Sequence, residues 1–438
     1  MKYWLKKAKS FFNQNSSAVF LTVFISFYCA VIMEGQADLL TYILLSLGLV
    51  LAIIRQKQRT DIKIPFTAWL VGALIFLLVF WSFVRYKTWF YGYAWGYLPI
   101  PFALVLAQSL DHQEKQVLKY LLTYVGVLFA VLGILEFSMV SFAHSDIRVS
   151  GVIGNANMFG IFLVINWLLL NEKDWKSKMK YDYSFFVLAC LFLTLSIGSI
   201  ICLFVAFIAL FWKKGKKQTA VETVMLLLGL AGGALFWMSG GTVLLYPLFL
   251  LPFACGLYSE NIREIISKHI YISCGTCLLG LIAVLGYIAF SRTNAGATFI
   301  ERLQMYQDAV DLIIKKPLSG YGQLSWHAMD ISHLLASQRG EPYYAIMVHN
   351  FFLHLWLEGG IIPALIGAWI FAESFRISSE KIMWLICLVF LIQCSYDCGF
   401  FSLGLLSFFL VLIHCQNIDL SHRSKDKHQQ SLKSIESF

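Results

Sequence analysis

The sequence predicts an all-α, polytopic membrane protein with about 12–14 transmembrane helices and one large extracytoplasmic loop. Three observations carry this. Apolar stretches recur along nearly the whole chain, 59% of residues are hydrophobic and only 13% are charged. Mean hydropathy is +0.70, more apolar surface than one soluble core of this size can hide. The runs are continuously apolar, whereas a transmembrane β-strand alternates with period two.

The elements follow in chain order. Met1 to Lys9 carries four lysines ahead of an apolar run near 17–33. That run ends in Glu34-Gly35-Gln36 with no small-x-small cleavage site, so it reads as an uncleaved first span. Further candidate spans are 39–54, 66–84, 94–110, 117–142, 156–170, 183–196, 199–213, 222–238, 242–257, 269–290, 346–369, 382–395 and 400–414. With the N-terminus inside, the basic clusters at Arg55–Arg59, Lys173–Lys180, Lys213–Lys217, Arg263–Lys268, Arg376–Lys381 and Arg423–Lys427 all fall on the same side. This bookkeeping requires a break in 183–213 at Thr194–Ser199 and another in 382–414 at Ser395–Gly399. Both termini are then cytoplasmic.

The organisation is a helical region 1–290, an outer loop 291–345, C-terminal helices 346–415 and a polar cytoplasmic tail 416–438. Within the loop, Phe299, Leu303, Tyr306, Val310 and Ile313 recur at helical spacing among Glu301, Arg302, Gln304 and Asp308. They predict an amphipathic helix on the outer membrane surface, ended by the turn Lys316–Gly322. The net charge of +9 reads as cytoplasmic loops and not as a nucleic-acid surface. The ten cysteines lie mostly in apolar runs. Cys274 and Cys277 form a C-x-x-C without partner ligands, and no disulfide framework is implied.

Chemistry concentrates on the outer side. His349 and Asn350 open an apolar segment that continues through His354 to Glu358, Gly359 and Gly360. An ionisable imidazole at a membrane rim is expensive without a function. Asn350, His354 and Glu358 are spaced to share one helix face. Arg302, Arg292 and the loop Arg148–Asn157 lie on the same side by the charge topology. The spans are nearly free of charge, with Glu136 an exception, unlike the mid-membrane path of a transporter. His327 and His333 fit no metal-ligand spacing, so no metal site is expected.

His349-Asn350-x-x-Leu353 with Glu358-x-Gly360 resembles the signature of the O-antigen ligase and polymerase family. Arg302-Leu303, Ala309 and Pro317-Leu318-x-Gly320-x-Gly322 are similar to the segment just upstream. Arg148-x-Ser150-Gly151-x-x-Gly154-Asn155-x-Asn157 is similar to an earlier outer-loop motif. These motifs cover roughly 145–365 in the family's order. Two positions depart from the pattern: Ile197 follows Thr194-x-Ser196 where the family often has Arg, and Pro363 stands where a glycine is common.

The resemblance implies a GT-C-like glycosyltransferase in a bacterial inner membrane. It would take a polyprenyl-diphosphate-linked glycan donor, with a glycan or lipid-linked glycan as acceptor, and no cofactor. Other membrane proteins of polysaccharide assembly are possible partners. His349 is then the candidate general base. Arg302 would grip the diphosphate and stabilise leaving-group charge, with Arg148 and Arg292 as further cations. Asn350 would orient His349 or bind a sugar hydroxyl, and Glu358 would hold a hydrogen bond inside the protein. Polymerisation of repeat units is favoured over ligation to a lipid A core. A lipid-linked oligosaccharide flippase is the alternative from another class.

Overall fold

Breaks in the helical pattern, more than the helices themselves, set the architecture. The computed structural model describes residues 46–50, 52–54, 62–90, 92–140, 148–172, 177–213, 216–240, 295–328, 347–397 and 399–415, with isolated positions at 43, 272, 275, 279, 280, 282 and 286. The expected spans at 17–33 and 242–257, Arg292, the Cys274–Cys277 pair, His333 and the tail from 416 lie outside these residues, as do the side chain of His327 and most of the spans 39–54 and 269–290.

Among the described residues the regular structure is helical, with no strand. The α-helices are α1 (Phe66–Tyr86), α2 (Pro99–Ser109), α3 (His112–Val140), α4 (Ala156–Leu170), α5 (Ser177–Leu193), α6 (Ile197–Lys213), α7 (Lys216–Met238), α8 (Ala295–Lys315), α9 (Ser325–Ala328), α10 (Phe351–Gly359), α11 (Ile361–Ile377), α12 (Lys381–Tyr396) and α13 (Leu403–His414). Two are long and apolar enough to cross a membrane, α1 and the Glu114–Met139 part of α3. Shorter apolar helices at α4, α6, α7, α12 and α13 accompany them. On α3, Leu128, Leu132, Leu135 and Met139 form an exposed apolar stripe at helical spacing, the pattern of a lipid-facing side.

Both breaks required by the charge pattern occur. α5 ends at Leu193 and α6 starts at Ile197, with Leu195 in the left-handed region at φ 47°. α12 ends at Tyr396, and a 3-10 turn Gly399–Phe401 precedes α13. The expected single span 346–369 is corrected. It is two helices, α10 and α11, because Gly360 takes φ 82°, ψ −177°, which no helix continues through. The amphipathic helix forms as α8, but its apolar residues divide between two faces. Met305, Ala309 and Ile313 are buried with Trp326, Val348 and Leu357, with Tyr306 packed beside them, while Phe299, Leu303 and Val310 stay exposed.

The chain divides into two compact units. The first takes the chain to Leu122, then Ile362–Trp384 and Leu403 onward. In it α2 packs between α1 and α13, Pro99 occupies the first turn of α2, and Phe371 meets Phe409 at 6.0 Å. The second comprises Thr123–Ile361 and Leu385–Ser402 and holds every described residue of the candidate site. Its centre is α4, buried all round except at Asn157, as expected of a helix apolar on every side. α7 crosses α5 closely. A Cβ on Gly229 would lie 2.5 Å from Leu188 Cβ, and one on Gly233 would lie 2.5 Å from the Ala189 carbonyl. Small residues four apart admit this contact where lipid supplies no hydrophobic drive between helices.

The turn after α8 locks onto the end of α10. Tyr321 and Gly322 donate backbone N–H groups to Leu357 and Glu358 carbonyls at 2.8 Å each. Ile361 N–H and the Trp356 indole both donate to the Pro317 carbonyl. Carbonyls at a helix end need such partners. The backbones approach so closely that a Cβ on Gly360 would sit 2.0 Å from the Leu318 carbonyl oxygen, and one on Gly320 would sit 2.6 Å from that of Glu358. The two glycine motifs are therefore one structural lock.

Gly360→Ala should lower the thermal midpoint in detergent far more than Gly240→Ala. Both glycines have positive φ, but no described residue lies within 4 Å of a Cβ on Gly240. The backbone strain alone costs on the order of 1–3 kcal/mol. The collision at Gly360 adds to it, so equal shifts for the two variants would refute the lock.

Candidate functional site

The site assembles from three ends of helices in the second unit. α8 carries Arg302 near its start, the residue before the α10 N-cap is His349, and Asp397 follows the last residue of α12. The Asp397 carboxylate joins the other two. One oxygen lies 3.1 Å from His349 Nδ1, and the other lies 3.3 Å from an Arg302 Nη. The Asp397 side chain is 3% exposed, against 20% for Arg302 and 22% for His349. A buried carboxylate is tolerable only when paired in this way. The imidazole and the guanidinium keep partial exposure.

This arrangement sets the chemistry of the imidazole. An ionised carboxylate can only accept, so Nδ1 carries the proton and Nε2 is the nitrogen able to receive another. The carboxylate also stabilises the imidazolium that forms when Nε2 does so. Arg302 uses one end of its guanidinium on Asp397, while its buried Nε has no hydrogen-bond partner among the described residues.

His349 is held in a conformation that a side chain rarely adopts, φ 57°. That costs about 1–2 kcal/mol for an L-residue and persists only when the surroundings impose it. Tyr306 of α8 donates its hydroxyl to the His349 carbonyl at 3.0 Å. On the other side, Asn350 caps α10, its Oδ1 accepting from Phe352 and Leu353 N–H. Its Nδ2 donates to the Ser395 carbonyl at 2.8 Å, tying the loop to the end of α12 beside Asp397. Asn350 is thus a cap and a tether.

Glu358 lies apart from the Asp397 group. It is buried on α10 with His354, whose Nε2 lies 3.4 Å from a Glu358 carboxylate oxygen. The edge of the His354 ring packs on Phe401 at 4.6 Å.

Arg148 is fixed at the break between α5 and α6. Its Nε donates to the Thr194 carbonyl at 3.0 Å and an Nη donates to Asn157 Oδ1 at 2.6 Å. Val149 N–H reaches the Leu193 carbonyl, so the loop docks on the end of α5. Asn155 caps α4 by accepting from the N–H groups of Asn157 and Met158. Ser150 Oγ lies 3.4 Å from Glu136, the carboxylate expected to stand alone in α3. The first turn of α6 links this loop to the Asp397 group. Ser199 Oγ donates to the Asn157 carbonyl, and Gly198 presses on Tyr396, where an added Cβ would come within 2.2 Å of the ring. Ile197 begins that turn, so Arg148 stands beside the position where the resemblance leads one to look for Arg.

Of the residues singled out from sequence, His349 and Arg302 come together through Asp397, and Asn350 adjoins His349 in the chain. Arg148 joins through α6, Glu358 occupies a neighbouring buried pair, and Arg292 lies outside the described residues. Asp397 was read only as part of a break. The available signal was a lone carboxylate at the end of a nearly charge-free run, on the same side as His349. No group of three or more His, Cys, Asp or Glu among the described residues could hold a metal.

Residues 183–368 match the family model described as O-Antigen ligase. This segment is similar to the O-antigen ligase family. Members of that family are integral membrane proteins, and the two long apolar helices among the described residues agree with that. The match contains Arg302, His349 and both halves of the glycine lock, while Arg148 and Asp397 fall outside its limits. No curated protein matches the chain.

Asn350→Asp should retain the cap and lose the donor to Ser395. Its thermal midpoint should fall between those of the parent and Asn350→Ala, whose lost cap costs about 1 kcal/mol. A midpoint for Asn350→Asp no higher than that of Asn350→Ala would contradict the capping geometry.

Proposed function

We propose that the protein is a membrane glycosyltransferase of the O-antigen ligase and polymerase type. It transfers a glycan from a polyprenyl diphosphate carrier to an acceptor hydroxyl outside the cytoplasm. The observation that carries this reading is that Asp397 binds His349 and Arg302 together, and that both of these residues lie in the segment matching a family whose substrates are lipid-linked glycans.

In this mechanism His349 Nε2 takes the proton of the acceptor hydroxyl as its oxygen attacks the anomeric carbon. Imidazole titrates close to neutral pH, which suits a general base. Asp397 orients the ring and stabilises the imidazolium. The bond from the anomeric carbon to the diphosphate oxygen breaks as the new bond forms, and inversion follows from single displacement. Charge grows on the departing diphosphate, and Arg302, held at Asp397 beside His349 with an Nε unpaired among the described residues, is the candidate cation to neutralise it. Arg148, beside the site of the missing family Arg, is the second candidate cation. With two guanidinium groups neutralising the leaving group, the mechanism needs no metal.

Polymerisation of lipid-linked repeat units is the preferred reaction, because no feature of the chain marks a lipid A core acceptor. Deletion should then leave short glycans still attached at the surface and build up lipid-linked repeats. Unattached polymer of normal length would favour ligation.

In vitro transfer between defined polyprenyl-diphosphate glycans tests the chemistry. His349→Ala should lose about 10²–10⁴-fold in kcat, the usual worth of a general base. Arg302→Lys should remain impaired, because an ammonium lacks the guanidinium fork. Full activity in His349→Ala rejects the base assignment.

The same assay predicts the pH response. An imidazole that must accept a proton is lost as a base when it is protonated. The rate should therefore rise from acid towards neutral pH, and a rate flat across that range would contradict the role of His349.

A further inference from the structure

α8 is apolar on two sides, and among the described residues only one is occupied. Its inner side packs Met305, Ala309 and Ile313 against Trp326, Val348 and Leu357. Phe299, Leu303, Val310 and Ile314 remain exposed, with Ile314 70% exposed. At 3.6 residues per turn these four lie within about 60° of one another around the axis, so they form a single stripe. Leu318, 73% exposed, extends it into the following turn. Solvent-facing apolar surface of this length marks an interaction site.

The composition of α8 and its surroundings identify the occupant. The helix is long enough to span a bilayer, yet it carries Glu301, Arg302, Asp308, Asp311 and Lys315, too many charges for burial in hydrocarbon. Asp308, Asp311 and Lys315 lie on a different arc from the stripe. Where the stripe ends, the Lys316 ammonium sits 4.7 Å above the Tyr321 ring, a basic and aromatic pairing that suits a membrane interface. A helix with a narrow apolar stripe and a charged remainder lies in the interfacial plane.

We infer that the outer stripe of α8 is seated in the outer leaflet of the bilayer and fixes Arg302 at the depth of lipid phosphates. Arg302 is adjacent in sequence to Leu303 and falls on the buried arc of α8, between Ala309 and Ile313 around the axis. The inner contacts fasten the same helix to the His349 loop through Tyr306. Seating the stripe therefore sets the height of the whole site. The role given to Arg302 rests on the proposed transfer reaction, whereas the seating itself does not.

Photocrosslinking tests the seating without any turnover. p-Benzoylphenylalanine is placed at Phe299, at Ile314 or, as a control on the polar arc, at Asp311. The full-length protein is reconstituted in vesicles of phosphatidylethanolamine and phosphatidylglycerol containing a polyprenyl diphosphate. The expected result is phospholipid adducts at 299 and 314 several-fold above those at 311. No excess over position 311, adducts with the isoprenoid instead of phospholipid, or crosslinks to a second copy of the chain would each overturn the inference. An inactive protein that still gives the phospholipid pattern would refute the transfer reaction and leave the seating standing.

Discussion

The Asp397 carboxylate is the constraint on which the site depends. It is nearly inaccessible to solvent, and burying an unpaired carboxylate would shift the balance strongly against the folded arrangement. His349 and Arg302 supply its partners from two other elements. One interaction thus brings together the ends of α8 and α12 and the loop before α10. It also selects the imidazole tautomer that leaves Nε2 to act. The arrangement neutralises a buried charge with two side chains that each keep partial exposure.

The surrounding structure holds that geometry against strain. His349 occupies the left-handed region, and Tyr306, Asn350 and the Asn350–Ser395 tether define its backbone. Below it, the close approach of Gly320 to the Glu358 carbonyl and of Gly360 to Leu318 fixes α10 against the turn after α8. Separate motifs in the sequence are therefore parts of a single packing solution. The glycines permit the contact that places Arg302 and His349 on adjoining elements.

Much of this was legible from residues alone, and the misses have physical reasons. Charge clusters required breaks near Thr194 and Ser395, and the chain breaks there, because loop charge is a strong and local signal. His349 and Arg302 stood out as ionisable groups at an apolar rim. The run 346–369 read as one span because hydropathy does not register the backbone angles of a glycine. The apolar residues of α8 were grouped on one face because spacing reports periodicity, not which of two apolar arcs finds a partner. Asp397 escaped because its importance comes from residues about fifty and ninety-five positions away, and a single sequence carries no mark of such pairing.

The central claim is that Asp397 works through His349, and a double-mutant cycle tests it most directly. The kcat for glycan transfer is measured for the parent, His349→Ala, Asp397→Asn and the double variant. If the carboxylate acts by orienting the imidazole, the double variant is no slower than His349→Ala, since residues that work as a unit are strongly non-additive. Losses that multiply across the two single variants would show independent roles and contradict the account.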